Sequence, residues 1–188
     1  MLRLLVLTES LSPTSGWGTY SLSLIRALES QGVDIEVLST EPARLPIRLP
    51  GVHDGLRPWL RTFFDLRALK DRSRFEVVHS FVEPYAKLSR SLPHPQVVTV
   101  YGTFAQPAAH GPRWAQYAFH DGLRHSEAIV AVSDYTRDHL PADVKDRTHV
   151  IPNGIELAIQ TEAYEAPSHF ENHRPLIFSV GALKPRKG

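Results

Sequence analysis

Short apolar runs recur along the chain, and most are followed by a stretch with helical spacing. Residues 2–8, Leu-Arg-Leu-Leu-Val-Leu-Thr, read as a first, largely buried strand. Residues 21–30 then place Leu24, Ile25 and Leu28 on one side of a helix, with Tyr20 just ahead of them, and Gly32 suits its carboxyl cap. Residues 33–39 read as a second strand. The stretch 41–55 holds Pro42, Pro46 and Pro50 and reads as a long irregular loop. Pro58 opens a helix to residue 71 with Trp59, Phe63 and Leu66 on its inner side. Further strands are predicted at 75–80, 96–101, 127–132 and 148–151, and helices at 84–91 and 112–125. Ser133 looks like the N-cap of a short helix that must stop before Pro141. Residues 155–174 are polar and without pattern, as in a linker, and Leu176 to Val180 form a last apolar run.

Strand alternating with helix, with near-continuous apolar strands, predicts an α/β fold: a doubly wound, Rossmann-like parallel sheet with helices on both faces. Right-handed crossovers leave few topologies, and the strand order 3-2-1-4-5-6 is the first expectation. Ligands in such sheets bind beyond the carboxyl ends of the strands. The loop after strand one and the loop after strand four, at 101–111, are then expected at one crevice. The first of these loops runs into Ser15-Gly16-Trp17-Gly18-Thr19-Tyr20. Glycines there would let a ligand approach the backbone, and the N–H groups at a helix start favour an anion such as a phosphate.

Composition narrows the classes. The 188 residues are 42% hydrophobic and 22% charged, an ordinary globular mix. A net charge of +1 gives no reason to expect nucleic acid as a partner. The absence of cysteine removes thiol chemistry and fits a reducing compartment. No segment is long and apolar enough to serve as a transmembrane span, so the expectation is a cytoplasmic protein, with peripheral work at a membrane surface still open.

Other chemistries fit less well. A dinucleotide fingerprint requires Gly-x-Gly-x-x-Gly directly after the first strand, but Ser21 stands in the third glycine place and the glycines follow a long loop. The histidines are scattered, and the His169/His173 pair lies in an unpatterned segment, so no metal site is expected. There is no Gly-x-Ser-x-Gly elbow for an acyl-transfer triad. His79, ending strand three, reads as a packed or hydrogen-bonded core histidine.

Six stretches, in order, together resemble retaining glycosyltransferase family 4. Gly16-Trp17-Gly18-Thr19-Tyr20 with Leu24 and Leu28 resembles the family's glycine-rich opening. Phe75-Glu76-Val77-Val78-His79 resembles its "D-V-V-H" strand, and Val97 to Thr103 resembles "T-x-H-G-T". The stretch from Ala128 to Arg137 resembles "I-x-A-V-S-x-x-T-R", that from Val150 to Glu156 "V-I-P-N-G-V-D", and that from Val180 to Gly188 "V-G-x-L-x-P-R-K-G".

The resemblance implies a two-lobed GT-B architecture and transfer of a hexose, with retained anomeric configuration, from a nucleotide diphosphate sugar to a glycan, lipid or small-molecule acceptor. It implies no metal or resident cofactor. Gly16, Trp17 and Gly18, with Arg186 and Lys187, would meet the donor diphosphate, where fixed cations stabilise the departing charge. Gly102, Thr103 and Ser133 would line the acceptor side, and Tyr101 stands where the family carries a histidine assigned to the reacting sugar. Three positions depart from the pattern: Ser15 replaces a glycine, Tyr101 the histidine, and Ala182 an arginine. Trp17, Tyr101 and Phe104 could stack on a sugar ring.

The expected organisation is an acceptor-side domain at 1–155, a linker at 156–174, and the first strand and basic turn of a donor-side domain at 175–188. On this reading the rest of that domain, with the family's paired glutamates, is missing, so the polypeptide alone folds without transferring sugar. The run from Leu176 to Val180 would then exchange between two copies or pack elsewhere. Alternatives from other classes are an NAD-type oxidoreductase domain and a non-catalytic half of a split two-chain protein.

Overall fold

In the computed structural model the first strand, β1 (Arg3–Thr8), is buried from its second residue onward and lies next to one edge strand of a parallel sheet. The structure describes residues 1–39, 73–90, 92–102 and 113–154, all within the unit Met1–Gly154. The expected loop at 41–55, the helix carrying Trp59, Phe63 and Leu66, Thr103 and Phe104, the linker, the run from Leu176 to Val180, Ala182, and Arg186 with Lys187 lie outside the described residues.

Among the described residues the sheet has six strands in the order β2-β1-β3-β4-β5-β6, every neighbouring pair parallel. The other strands are β2 (Asp34–Ser39), β3 (Val77–Ser80), β4 (Gln96–Val100), β5 (Ala128–Ala131) and β6 (Thr148–Val150). The expected order is therefore corrected. Strand three lies between β1 and β4, with Leu5 opposite Val78 and Val78 opposite Gln96, and not outside β2. The pattern of the strands explains this. Asp34 and Glu36 alternate with Ile35 and Val37 in β2, so that strand has one solvated face, whereas Val78 and Ser80 are fully buried.

Helices cover both faces. Helix α1 (Gly16–Ser30) lays Tyr20, Leu24, Ile25 and Leu28 against Leu4, Val6 and Phe81. A 3-10 turn (Glu83–Tyr85) leads into a short helix, α2 (Ala86–Ser89). On that side of the sheet α3 (Arg113–Arg124) packs Phe119 and Leu123 with Val98, Val100 and Ile129. Each such fully buried aliphatic or aromatic side chain contributes about 1.5–3 kcal/mol. Gly122 permits α3 to approach α2, since a Cβ there would stand 3.0 Å from the Lys87 nitrogen. Asp121 beside it binds Arg90 (3.1 Å) and Lys87 (3.5 Å) and faces His125 (3.6 Å). Burial pushes the Asp121 carboxyl up, but the Lys87 and Arg90 cations beside it hold it below the usual carboxylate range.

Arg147 ties the last turn of α3 by donating to the carbonyls of Leu123 and Arg124. It ends a second 3-10 segment (Ala142–Arg147) that the sequence pattern did not predict. Helix α4 (Asp134–Asp138) is capped by Ser133, whose Oγ accepts from the Thr136 N–H at 3.1 Å, as expected. No helix among the described residues is long and apolar enough to cross a membrane.

Candidate functional site

The carboxyl ends of β1, β3, β4 and β5 form one rim, and Gly16, Trp17, Gly18, Tyr101, Gly102 and Ser133 lie there. The glycine-rich stretch is not the loop it was expected to be. Helix α1 begins at Gly16, five residues before the expected start, so Gly16, Trp17 and Gly18 form its first turn. Ser15 starts the helix. Its backbone is extended (φ −108°, ψ 144°), and its Oγ accepts from the Gly18 N–H at 2.9 Å. Ser10 steadies the loop ahead of it, accepting from the Ser12 N–H at 3.0 Å and lying 3.2 Å from the Ser15 hydroxyl.

The two glycines serve different ends. At Gly18 a Cβ would lie 2.0 Å from the Ser12 carbonyl oxygen, so only glycine lets the loop fold back on the helix. At Gly16 a Cβ would meet nothing within 4 Å, and the residue is exposed. Packing does not require a glycine at position 16.

Trp17 reaches from this turn, past the end of β3, to the residue after β4. Its ring lies edge-on to Tyr101, with centroids 4.6 Å apart. Tyr20, one turn further along α1, is also edge-on to Tyr101 (5.0 Å) and packs on Phe81 after β3 (6.0 Å). Pairs of this kind add about 0.5–1.5 kcal/mol each beyond their burial. Trp17 and Tyr101 do share a rim, as expected, but β3 intervenes and contributes Phe81 and Glu83.

The Tyr101 hydroxyl is buried and has no hydrogen-bond partner among the described residues. Burial, and then the neighbouring Tyr20 and Glu83, push its ionisation far above the ordinary phenol value. Tyr101 is thus held as a neutral phenol, a possible hydrogen-bond donor and not a base. Gly102 follows with φ 81°, a conformation that other residues rarely adopt, and a Cβ there would press on Thr136 Oγ1 at 3.2 Å. The missing side chain leaves room for Thr136, so the turn after β4 can lie close to helix α4. Ser133, at the same rim, spends its Oγ on Thr136 as the cap of α4.

Two titratable groups flank these turns. His79 of β3 shares a hydrogen bond with Thr99 (Nε2 to Oγ1, 2.9 Å) and stacks edge-on with Phe81. Loss of water around the ring lowers its pKa from 6.5 to about 4, which makes it the neutral, packed histidine expected. Glu83 escaped the sequence reading. Its side chain is buried after β3, and Oε1 accepts from the Tyr101 N–H at 2.7 Å. Burial raises its pKa to about 7, against the pull of the backbone N–H groups of Glu83, Tyr101 and Gly102. The only signal was an acid set inside the apolar run Phe81-Val82-Glu83-Pro84-Tyr85-Ala86.

At the far end of the sheet, Arg3, Asp34, Glu36 and Arg74 border a shallow groove of about 400 Å³. Arg74 is paired with Glu36 there, and Arg3 lies 3.9 Å from Asp34, so its charges largely neutralise one another.

Comparison with known proteins agrees with the motif pattern. No curated protein matches the sequence. A solved structure similar to it is UGT73P12 of Glycyrrhiza uralensis complexed with glycyrrhetinic acid 3-O-monoglucuronide, at 11% identity and a TM-score of 0.43. That likeness covers 72% of this chain and 44% of the other, so this chain spans less than half of that protein's length. The family described as Glycosyltransferase Family 4 matches residues 14–159, most of the chain and the whole rim from Gly16 to Ser133. The chain belongs to glycosyltransferase family 4.

Proposed function

We propose that the unit Met1–Gly154 is the acceptor-side lobe of a retaining GT-B glycosyltransferase that moves a hexose from a nucleotide diphosphate sugar. The observation that carries the reading is the meeting of an open helix start with a fixed aromatic turn. Gly16 is exposed with nothing within 4 Å of a Cβ, and Trp17 beside it locks Tyr101 at 4.6 Å.

In this reading the N–H groups at the start of α1 face the donor diphosphate, whose charge grows as the sugar departs. Arg186 and Lys187, from the donor-side lobe, supply fixed cations to the same group. Tyr101 takes the place of the family's histidine and donates one hydrogen bond to the reacting sugar, without accepting a proton. Gly102, Thr103 and Ser133 border the acceptor. Transfer requires both lobes, so Met1–Gly154 alone supplies binding and orientation but no turnover.

The test is incubation of an enzyme carrying both lobes with a panel of nucleotide diphosphate sugars and hydroxyl acceptors, following nucleoside diphosphate release and the anomeric configuration of the product by NMR. Retained configuration supports the reading. Inverted configuration, or hydride exchange with NAD in place of sugar transfer, contradicts it.

A further inference from the structure

We propose that Glu83 is a positioning residue for sugar transfer: its carboxylate holds the Tyr101–Gly102 turn in the orientation it presents to the start of α1. The inference rests on the transferase reading given above.

The geometry begins with one peptide group. Between Val100 and Tyr101, the Val100 carbonyl accepts from the Val132 N–H on the β5 side at 3.2 Å. A trans peptide points its N–H the opposite way, here toward β3. But β3 ends at Ser80, opposite Val98, so the ladder offers that N–H no carbonyl. Glu83 Oε1 takes the missing place at 2.7 Å. A side chain from one crossover thereby fixes the first residue beyond the neighbouring strand.

The turn so held is under constraint on every side. Tyr101 is edge-on to Trp17 and Tyr20, and Gly102 sits at φ 81° against Thr136. Stability alone does not explain an acid here. Glu83 is 2% exposed, and its second oxygen, Oε2, has no hydrogen-bond partner among the described residues. A buried carboxyl group with one oxygen left without a partner costs stability. Such local violations are expected where function sets the residue.

The experiment compares Glu83→Gln, which keeps an acceptor oxygen at the same reach, with Glu83→Ala and with Glu83→Asp, which is shorter by one methylene. Measurements are made in the full chain in which transfer is observed. Amide hydrogen exchange is read at Tyr101 and Gly102, and kcat and KM are determined separately. The expected result is exchange faster by about tenfold or more at Tyr101 in the Ala and Asp variants, with β1 amides unchanged. It comes with a kcat reduced by about tenfold or more and a donor KM altered by less than about threefold. Glu83→Gln stays within about threefold of wild type on all counts.

Where Glu83→Ala does not fold, the Asp and Gln pair decides: equal behaviour of those two overturns the inference. Unchanged exchange at Tyr101 in the Asp variant overturns the clamp, and faster exchange with unaltered kcat overturns its role in transfer. A wild-type enzyme carrying both lobes that transfers no sugar overturns the transferase reading, a failure distinguishable because it precedes any substitution.

Discussion

Replacing His79 or Glu83 one at a time tilts a stability profile that their opposed shifts hold nearly level. His79 has a folded pKa of about 4 against 6.5, so the unfolded chain takes up a proton that the folded protein refuses. Its contribution is complete above pH 6.5 and is lost as pH falls toward 4. Glu83 has a folded pKa of about 7 against 4.5, so the folded protein keeps a proton that the unfolded chain has released. Its contribution is complete below pH 4.5 and is lost as pH rises toward 7. At about 1.4 kcal/mol per pH unit, each shift amounts to about 3 kcal/mol, an upper value for the half-buried His79.

Between about pH 5 and 6.5 the two slopes therefore cancel, while Asp121 and Asp143, both lowered, titrate below that window. Glu83→Gln leaves His79 alone, and stability rises by about 2 kcal/mol from pH 5 to 6.5. His79→Gln leaves Glu83 alone, and stability falls by about 2 kcal/mol over the same range. Urea unfolding at half-unit pH steps, followed by circular dichroism with the m-value checked for constancy, reads both slopes. Parallel, level profiles in wild type and both variants would refute the assignment of these shifts to burial.

Gly18→Ala drives a Cβ into the Ser12 carbonyl and lowers stability by about 1–3 kcal/mol, measured by urea unfolding. Gly16→Ala meets no atom and adds up to about 1 kcal/mol of helix stability, yet raises the donor KM if the helix start binds the diphosphate; an unaltered KM removes that role. Tyr101→Phe deletes a buried hydroxyl without a partner, so thermal stability holds or rises slightly while kcat falls; an unchanged kcat makes Tyr101 a packing residue only.

Much of this arrangement was legible because strands buried on both faces write themselves as apolar runs. Leu4 to Leu7, Val97 to Val100 and Ala128 to Ala131 were assigned to strands on that ground, and the described sheet contains them. The Ser133 cap was legible because a hydroxyl before a short helix has few other uses. The start of α1 was not. Gly-Trp-Gly has poor helix propensity, and what makes it helical is tertiary: the Ser15 cap, the Ser12 loop packed on Gly18, and Trp17 lodged on Tyr101. The slot of strand three was misplaced because the choice between two doubly wound orders depends on which strand tolerates a solvated face, and Asp34 and Glu36 carried that information in β2. Glu83 was hidden because a carboxylate acting on a peptide 18 residues away leaves no local spacing.

The central claim places sugar chemistry at the rim formed by the start of α1 and the turn after β4. Backbone chemical-shift mapping on addition of a nucleotide diphosphate sugar tests it most directly. The account predicts the largest changes at Gly16, Trp17, Tyr101 and Gly102. Changes centred instead on Arg3, Asp34 and Arg74, at the opposite end of the strands, would contradict it.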